Sequence, residues 1–529
     1  MKKGILFTCL LILVISSLLA MSCTSSSTPV PTSAPATTAA PTATGPVKGG
    51  SLTMVTGFLP AGNQVGIPWK YNANVPSFLP PVNEPLITSD AAGNLKPWLA
   101  TSWKIADDFL SITFDLRKDV KFSDGTPLNA EAAKWNIEQQ IAGKAPTSGL
   151  MKSVEATGEY SFKINLSGWD ATLMNMMTNY IQCLSFISPT AYKANGETGA
   201  QSKLVGTGPF MLTSWDMNVG AKFVKNPNYW QPGKPNLDEI NYKFLSDPNA
   251  AIMTVMSGQA DIGYLFRGSY VDQKSAMEKA GYPMFYYKNG MGVYGAFPDS
   301  VNPTSPLANA KLREAIEYAT DKEALCKSVG YGLWTPTWQA CPPGNAAYNP
   351  NLTARKFDLA KAKALIAESK YNGTDEINLY VLNTDSALAQ AMQSMWKAAG
   401  INAKIVIFDQ PSWVAKMNQG WTNGYLVSAL GANPIWIATL PRYFASPPIS
   451  YVSMARSADL NKALADARAS KDLAGLIAKT KDMIKAINDD AMMLPLFQHE
   501  ADFNVSNKIQ DFGFDVAGIW NTADIWKKK

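Results

Sequence analysis

The sequence predicts a mixed α/β fold, and three observations predict it. Short stretches alternate polar and apolar residues with period two: from Ser111 to Leu116, Ile112, Phe114 and Leu116 share one face, as in a half-buried strand. Other stretches repeat apolar residues at helical spacing after a capping residue, as Ala130, Ala133, Ile137 and Ile141 do after Asn129. In the second half, strands at 377–382 and 404–408 bracket a helix around 392–399, the order of a parallel strand–helix–strand unit. The 529 residues are 46% hydrophobic and 17% charged. That composition supports a large core and excludes a disordered, collagen-like or disulfide-stapled chain.

The N-terminus is the first element. Lys2 and Lys3 precede an apolar stretch at 5–20, shorter than the ~20 residues a membrane-spanning helix needs, so residues 1–22 read as a signal peptide. The stretch ends in Leu19-Ala20-Met21-Ser22-Cys23, which resembles a bacterial lipobox, with Ala20 where Leu is usual. In such signals the cysteine becomes the lipidated first residue, so Cys23 is the expected lipidation site. Residues 24–46 are almost all Ser, Thr, Pro and Ala without charge. Such a segment has nothing to bury and reads as a disordered linker.

The folded part starts near Val47, with a first strand at 49–55. After the Asp124-Gly125 turn and the helix behind Asn129, strands are expected at 162–166, 210–214 and 240–245. A helix opens at Asp247-Pro248, a strand follows at 284–287, and a Gly-rich link spans 289–295. Leu312, Ile316 and Ala319 mark a helix face, Asp321 and Asp358 cap two more helices, and 458–488 is nearly all helical. The chain closes in short strand-like pieces, and no fixed-period repeat occurs.

Charge and residue counts narrow the function classes. The formal charge is +5, or +3 once Lys2 and Lys3 are removed (5 − 2), and the one basic run is Lys527-Lys528-Lys529. Nucleic acid is therefore not an expected partner. A single histidine, His499, rules out a multi-histidine metal site, so no metal site and no catalytic residue are expected. Gly290-Met291-Gly292-Val293-Tyr294-Gly295 matches the dinucleotide pattern literally, but prolines rather than a helix follow it, so no cofactor is expected there. Cys326 and Cys341 are 15 residues apart around a Gly/Pro-rich loop, a spacing that permits a disulfide without requiring one. Cys183 reads as a buried free thiol. Of the fifteen tryptophans, Trp69, Trp334, Trp338, Trp421 and Trp436 sit in loop-like surroundings. Together they favour a pocket with aromatic walls.

PWLATSWKIADDFLSITFDLRKDVKFSDGTPLNAE (97–131), GTGPFMLTSW (206–215) and KNPNYWQPGKPNLDEI (225–240) are the first blocks of an ordered series. SGQADI, LREAIEYATDKEAL, CPPGNAAYNP, FDLAKAKALIAES and AAGINAKI continue it. The series resembles the bacterial extracellular solute-binding proteins of family 5, which serve dipeptide, oligopeptide, nickel and some oligosaccharide importers.

The resemblance implies a two-lobed, periplasmic-binding-protein-like fold with a hinge and an interlobe ligand cleft. Residues 47–293 plus 500–529 would form lobe I and 294–499 lobe II. It further implies a monomeric, exported protein, anchored by its lipid at the outer face of the cytoplasmic membrane, on the periplasmic or cell-surface side. Such a protein hands a small-molecule solute to ABC permease and ATPase subunits and is not itself an enzyme. Trp69, Tyr71, Tyr294, Trp338, Trp421, Asn433 and Trp436 are the expected ligand-binding residues. Peptide-binding members carry an Asp that holds the ligand's amino group, followed by an Asp-Pro. Here the corresponding positions are Leu430 and Asn433-Pro434. A buried ammonium without a carboxylate would be costly, so an oligosaccharide stands level with a peptide as the expected ligand. A secreted Trp-rich hydrolase and a sensor or adhesion lipoprotein are the alternatives the sequence leaves open.

Overall fold

The computed structural model describes residues 45–57, 60, 64–71, 78–145, 148–178, 184–264, 274–287, 292–431, 435–448, 450–498, 501–514 and 520–529. Cys23, the linker to residue 44, Cys183, Asn433 and His499 lie outside them. Residues 46–529 pack as one unit, built on two large sheets and one smaller one.

The first sheet has seven strands, in the spatial order Met284–Tyr287, Ala501–Val505, Ile262–Tyr264, Ser51–Thr56, Glu239–Phe244, Gly220–Lys225 and Phe210–Asp216. Ser51–Thr56 runs parallel to both of its neighbours, and the flanking pairs are antiparallel. The pleat decides which side each residue buries. Leu52 and Met54 join a large cluster with Phe78, Trp215, Tyr242 and Phe503. Val55 points the other way, into a cluster with Ala251, Ile252 and Val255. Those three lie on the helix Pro248–Met256, whose N-cap Asp247 accepts from the Asn249 amide at 2.8 Å.

The second sheet has six strands: Thr335–Pro336, Leu494–Gln498, Val293–Pro298, Gly424–Ala429, Ile377–Leu382 and Ala403–Phe408. Ile377–Leu382 is parallel to both neighbours, as the strand–helix–strand order predicts. Ile377, Leu379, Val381, Tyr425 and Val427 pack on one face with Met392 and Trp396 of the helix Ser386–Ala399. Tyr380, Leu426, Val293 and Phe297 pack on the other, beneath the helices Ala458–Arg468 and Leu473–Asp489.

The smaller sheet is antiparallel, ordered Ala100–Ile105, Ser111–Leu116, Ser161–Leu166, Met151–Gly158. It packs on the helix Ala130–Ala142, whose cap is the expected one: Asn129 accepts from the Ala132 amide at 3.0 Å. Asp321 and Asp358 likewise cap the helices Lys322–Ser328 and Leu359–Ser369.

One open alternative is decided and one expectation is corrected. Cys326 and Cys341 are both buried free thiols. Cys326 belongs to the cluster on one face of the six-stranded sheet and Cys341 to the cluster on the other, so the sheet stands between them. The Gly-rich link is also shorter than expected. Val293-Tyr294-Gly295 opens the fully buried strand Val293–Pro298. Gly295 serves packing: a β-carbon there would lie 2.2 Å from Met493 Cε.

Candidate functional site at the crossings between the sheets

The chain passes twice between the two large sheets, once from Tyr287 toward Val293 and once from Gln498 to Ala501. Register shows which strand ends meet there. Tyr287 pairs with Ala501 and Tyr264 with Phe503, so the carboxyl end of Ile262–Tyr264 lies at the crossing side of the first sheet. Val293 pairs with Gln498 and Tyr294 with Ala429, so the carboxyl end of Gly424–Ala429 lies at the crossing side of the second. Ile377–Leu382 is parallel to Gly424–Ala429 and ends on the same side, leading into the turn Asn383–Asp385. Carboxyl ends of parallel strands are where open α/β sheets place their ligands, because loops rather than ladder bonds leave them.

Aromatic rings concentrate at these ends. On the first sheet Tyr264, Phe503 and Phe285 form one cross-strand row, with Tyr264 stacked on Phe503 at 4.5 Å between centroids. Phe512 and Phe514 close on the row, at 5.0 Å from Phe285 and 4.7 Å from Phe503 respectively. Phe503 is buried, whereas Tyr264, Phe285, Phe512 and Phe514 are only half-buried. On the second sheet Trp334 stacks on Phe497 at 3.9 Å, and Phe497 on Tyr294 at 5.2 Å. The Tyr294 hydroxyl donates to Asp385 Oδ2, which anchors the strand end to the turn before the helix Ser386–Ala399. In this second set only Trp334 is half-buried, while Tyr294 and Phe497 are buried. The half-exposed rings of the first set, beside a few fixed polar groups, suit recognition of a neutral or amphipathic small molecule.

The expected site residues distribute unevenly. Tyr294 stands at the crossing. Trp421 and Trp436 are as buried as Tyr294, in the cluster on the opposite face of the sheet. Trp421 Nε1 donates to the Gly424 carbonyl at 3.1 Å and Trp436 Nε1 to the Ala340 carbonyl at 2.6 Å. Trp69 packs edge-on to Trp135 and Tyr192 beneath the first sheet, and Tyr71 donates to the Val65 carbonyl at 2.6 Å. Trp338 is half-buried, with Lys356 Nζ 5.5 Å from its ring centre. Asn433 falls outside the described residues. Leu430, where the resemblance places an acid, is fully buried in apolar surroundings. Tyr264, Phe285, Phe503, Phe512 and Phe514 were not expected. The Phe512-x-Phe514 alternation near the end of the chain was the available signal.

A second feature lies within the body of the first sheet. Glu84 is buried beside a cavity of about 320 Å³ that Trp98, Tyr229, Asp511 and Trp520 also line. Its carboxylate accepts from Trp98 Nε1 at 3.1 Å, the Tyr229 hydroxyl at 3.1 Å and Trp230 Nε1 at 3.0 Å. Burial pushes its pKa up to about 7, and these hydrogen bonds, which favour the charged form, hold it from rising further. Among the described residues there is no cluster of three His, Cys, Asp or Glu that could hold a metal ion, and no helix long and apolar enough to cross a membrane.

Comparison with known proteins places the fold. Residues 94–449 match the middle region of the bacterial extracellular solute-binding proteins, family 5. A glutathione-binding protein GsiB from Shigella flexneri is 29% identical over 334 residues, which are 60% of this chain and 62% of that protein. The chain thus matches less than two thirds of that relative's length. Among solved structures, the Helicobacter pylori periplasmic binding protein DppA in complex with the peptide STSA superposes with a TM-score of 0.76 at 20% identity. It covers 91% of this chain and 99% of its own. NikA from Brucella suis in complex with Fe(III)-EDTA superposes with a TM-score of 0.76 at 24% identity, over 90% of this chain and all of its own. The fold is that of these periplasmic binding proteins.

Proposed function

Because the chain belongs to the bacterial extracellular solute-binding proteins, family 5, we propose that it captures a small solute outside the cell membrane and delivers it to the permease of an ABC importer, with ATP hydrolysed by partner subunits. One observation carries the reading. In both large sheets the carboxyl ends of parallel strands, each bearing aromatic rings, lie on the side from which the two crossings leave. Residues 47–293 with 500–529 would then act as one lobe and 294–499 as the other, closing over the solute like a hinged pair. Tyr264, Phe285, Phe514 and Tyr294 are the proposed contacts, and Trp421 and Trp436, buried on the face of the six-stranded sheet opposite Tyr294, would support that sheet's strand end. Trp69, Tyr71, Trp338 and Asn433 stay in the proposal as the candidates that the sequence offers.

The proposed solute class rests on position 430. Leu430 is buried and apolar, so no carboxylate stands there to meet a ligand ammonium. The relatives bind glutathione, a peptide and a chelated metal by their names. A peptide bound without an acidic clamp on its amino group, or an oligosaccharide, fits this wall best. Native mass spectrometry of the chain purified without denaturant tests the reading. A co-purifying peptide or sugar supports it. Absence of any adduct, together with no binding in a screen of both classes, would contradict it.

The anchor is part of the proposal. Lipidation at Cys23 would hold the monomer at the outer face of the membrane on the 23–46 tether. Cys23→Ala should move the protein from the membrane fraction to the soluble one, and retention after a high-salt wash would contradict the lipid.

A further inference from the structure

We propose that residues 169–171 and 468–470 form a clasp that holds the small-sheet layer against the body of the six-stranded sheet and biases the protein toward its closed arrangement; this rests on the two-lobe reading above. The elements come from opposite parts of the chain. Residues 169–171 follow the strand Ser161–Leu166 of the small sheet, and 468–470 end the helix Ala458–Arg468.

The last carbonyls of a helix have no partner within it and need donors from elsewhere. Here the donors come from across the junction. The Ala171 amide donates to the Arg468 carbonyl at 2.7 Å, and Trp169 Nε1 donates to the Ser470 carbonyl at 2.8 Å. The Arg468 side chain returns the contact, with Nε 2.5 Å from Asp170 Oδ2. Asp170 is preset for it: its Oδ1 accepts from the Thr172 amide at 2.8 Å and the Thr172 hydroxyl at 2.7 Å. Lys471 Nζ lies 4.9 Å from the centre of the Phe109 ring, which packs edge-on to Trp169.

Two observations set this junction apart from the core clusters. It is held mostly by polar contacts, and the Arg468 side chain is 46% exposed, so water can take its place. Beside it lies an open cavity of about 390 Å³ whose walls come from both sides: Leu95, Trp103 and Met174 from one, Ile435, Leu473 and Leu476 from the other. A permanent core packs without such voids, whereas surfaces that part and rejoin are polar and incompletely filled.

Small-angle scattering of the solute-free full chain, comparing wild type with the double variant Trp169→Phe/Arg468→Ala, tests the clasp. The substitutions keep the ring and remove the N–H donor and the guanidinium. The expected result is a shift to a larger radius of gyration. An unchanged radius overturns the clasp. So does an unchanged radius with a lowered midpoint, which would make the contact ordinary packing. Failure of the two-lobe reading is seen separately, as a wild type whose radius responds to no compound in a peptide and sugar screen.

Discussion

Gly292 and Leu430 approach so closely that a β-carbon on Gly292 would lie 1.3 Å from the Leu430 carbonyl oxygen. The contact is locked from the other side, where the Leu430 amide donates to the Val293 carbonyl at 2.8 Å. Backbone meets backbone here, so no side chain can move aside to relieve an added atom. The pair sits where the first crossing enters the six-stranded sheet.

Gly292→Ala should therefore force the crossing and the end of Gly424–Ala429 apart, at a cost of about 2–3 kcal/mol or more. A β-carbon on Gly168 would meet nothing within 4 Å, so Gly168→Ala should stay within about 0.5 kcal/mol of wild type. Denaturant midpoints of the two variants check the contrast, and equal midpoints would refute the close packing.

Glu84 gives a pH dependence with a defined sign. Its folded pKa, about 7, lies above the ordinary 4.5. Between those values the folded state binds the proton more readily than the unfolded chain, so the Glu84 contribution to stability falls as pH rises from 4.5 to about 7 and then levels off. The gap corresponds to ~3 kcal/mol across that window. Glu84→Gln should flatten this part of the stability profile. A variant profile parallel to wild type from pH 4.5 to about 7 would contradict the assignment.

The aromatic residues separate by role. Tyr264→Ala and Phe514→Ala, at half-buried rings packed on Phe503, should weaken solute binding by ~1–3 kcal/mol, with a smaller loss of stability than at the buried tryptophans. Trp421→Ala and Trp436→Ala remove fully buried rings and should cost ~3–5 kcal/mol of stability. Calorimetric binding beside thermal unfolding for all four variants checks the division. Binding loss at Trp421 or Trp436 with unchanged stability would move the contact surface back to them.

Local signals in the sequence carried much of the fold. Asn129, Asp247, Asp321 and Asp358 announce their helices because a capping side chain works within three residues of itself. The parallel order of 377–382 and 403–408 was legible for the same reason: one helix joins them. The placement of the aromatics was not. Trp421 and Trp436 sit among Gly, Asn and Pro, which reads as loop, yet tertiary packing buries both and supplies carbonyls for their N–H groups. Conversely, the Tyr264–Phe503 stack joins residues far apart in sequence through one register pairing. No window of sequence contains that pairing. The separation of Cys326 from Cys341 was hidden likewise, since a spacing of 15 residues does not reveal that a sheet passes between them.

The central claim is that a solute sits at the crossings, between the strand ends of the two large sheets. An X-ray structure of the full chain crystallised with the solute found by native mass spectrometry tests it most directly. Ligand density is expected between Tyr264 and Phe514 on one side and Tyr294 on the other, touching both bodies. Density confined to one body, such as in the cavity beside Glu84, would contradict it.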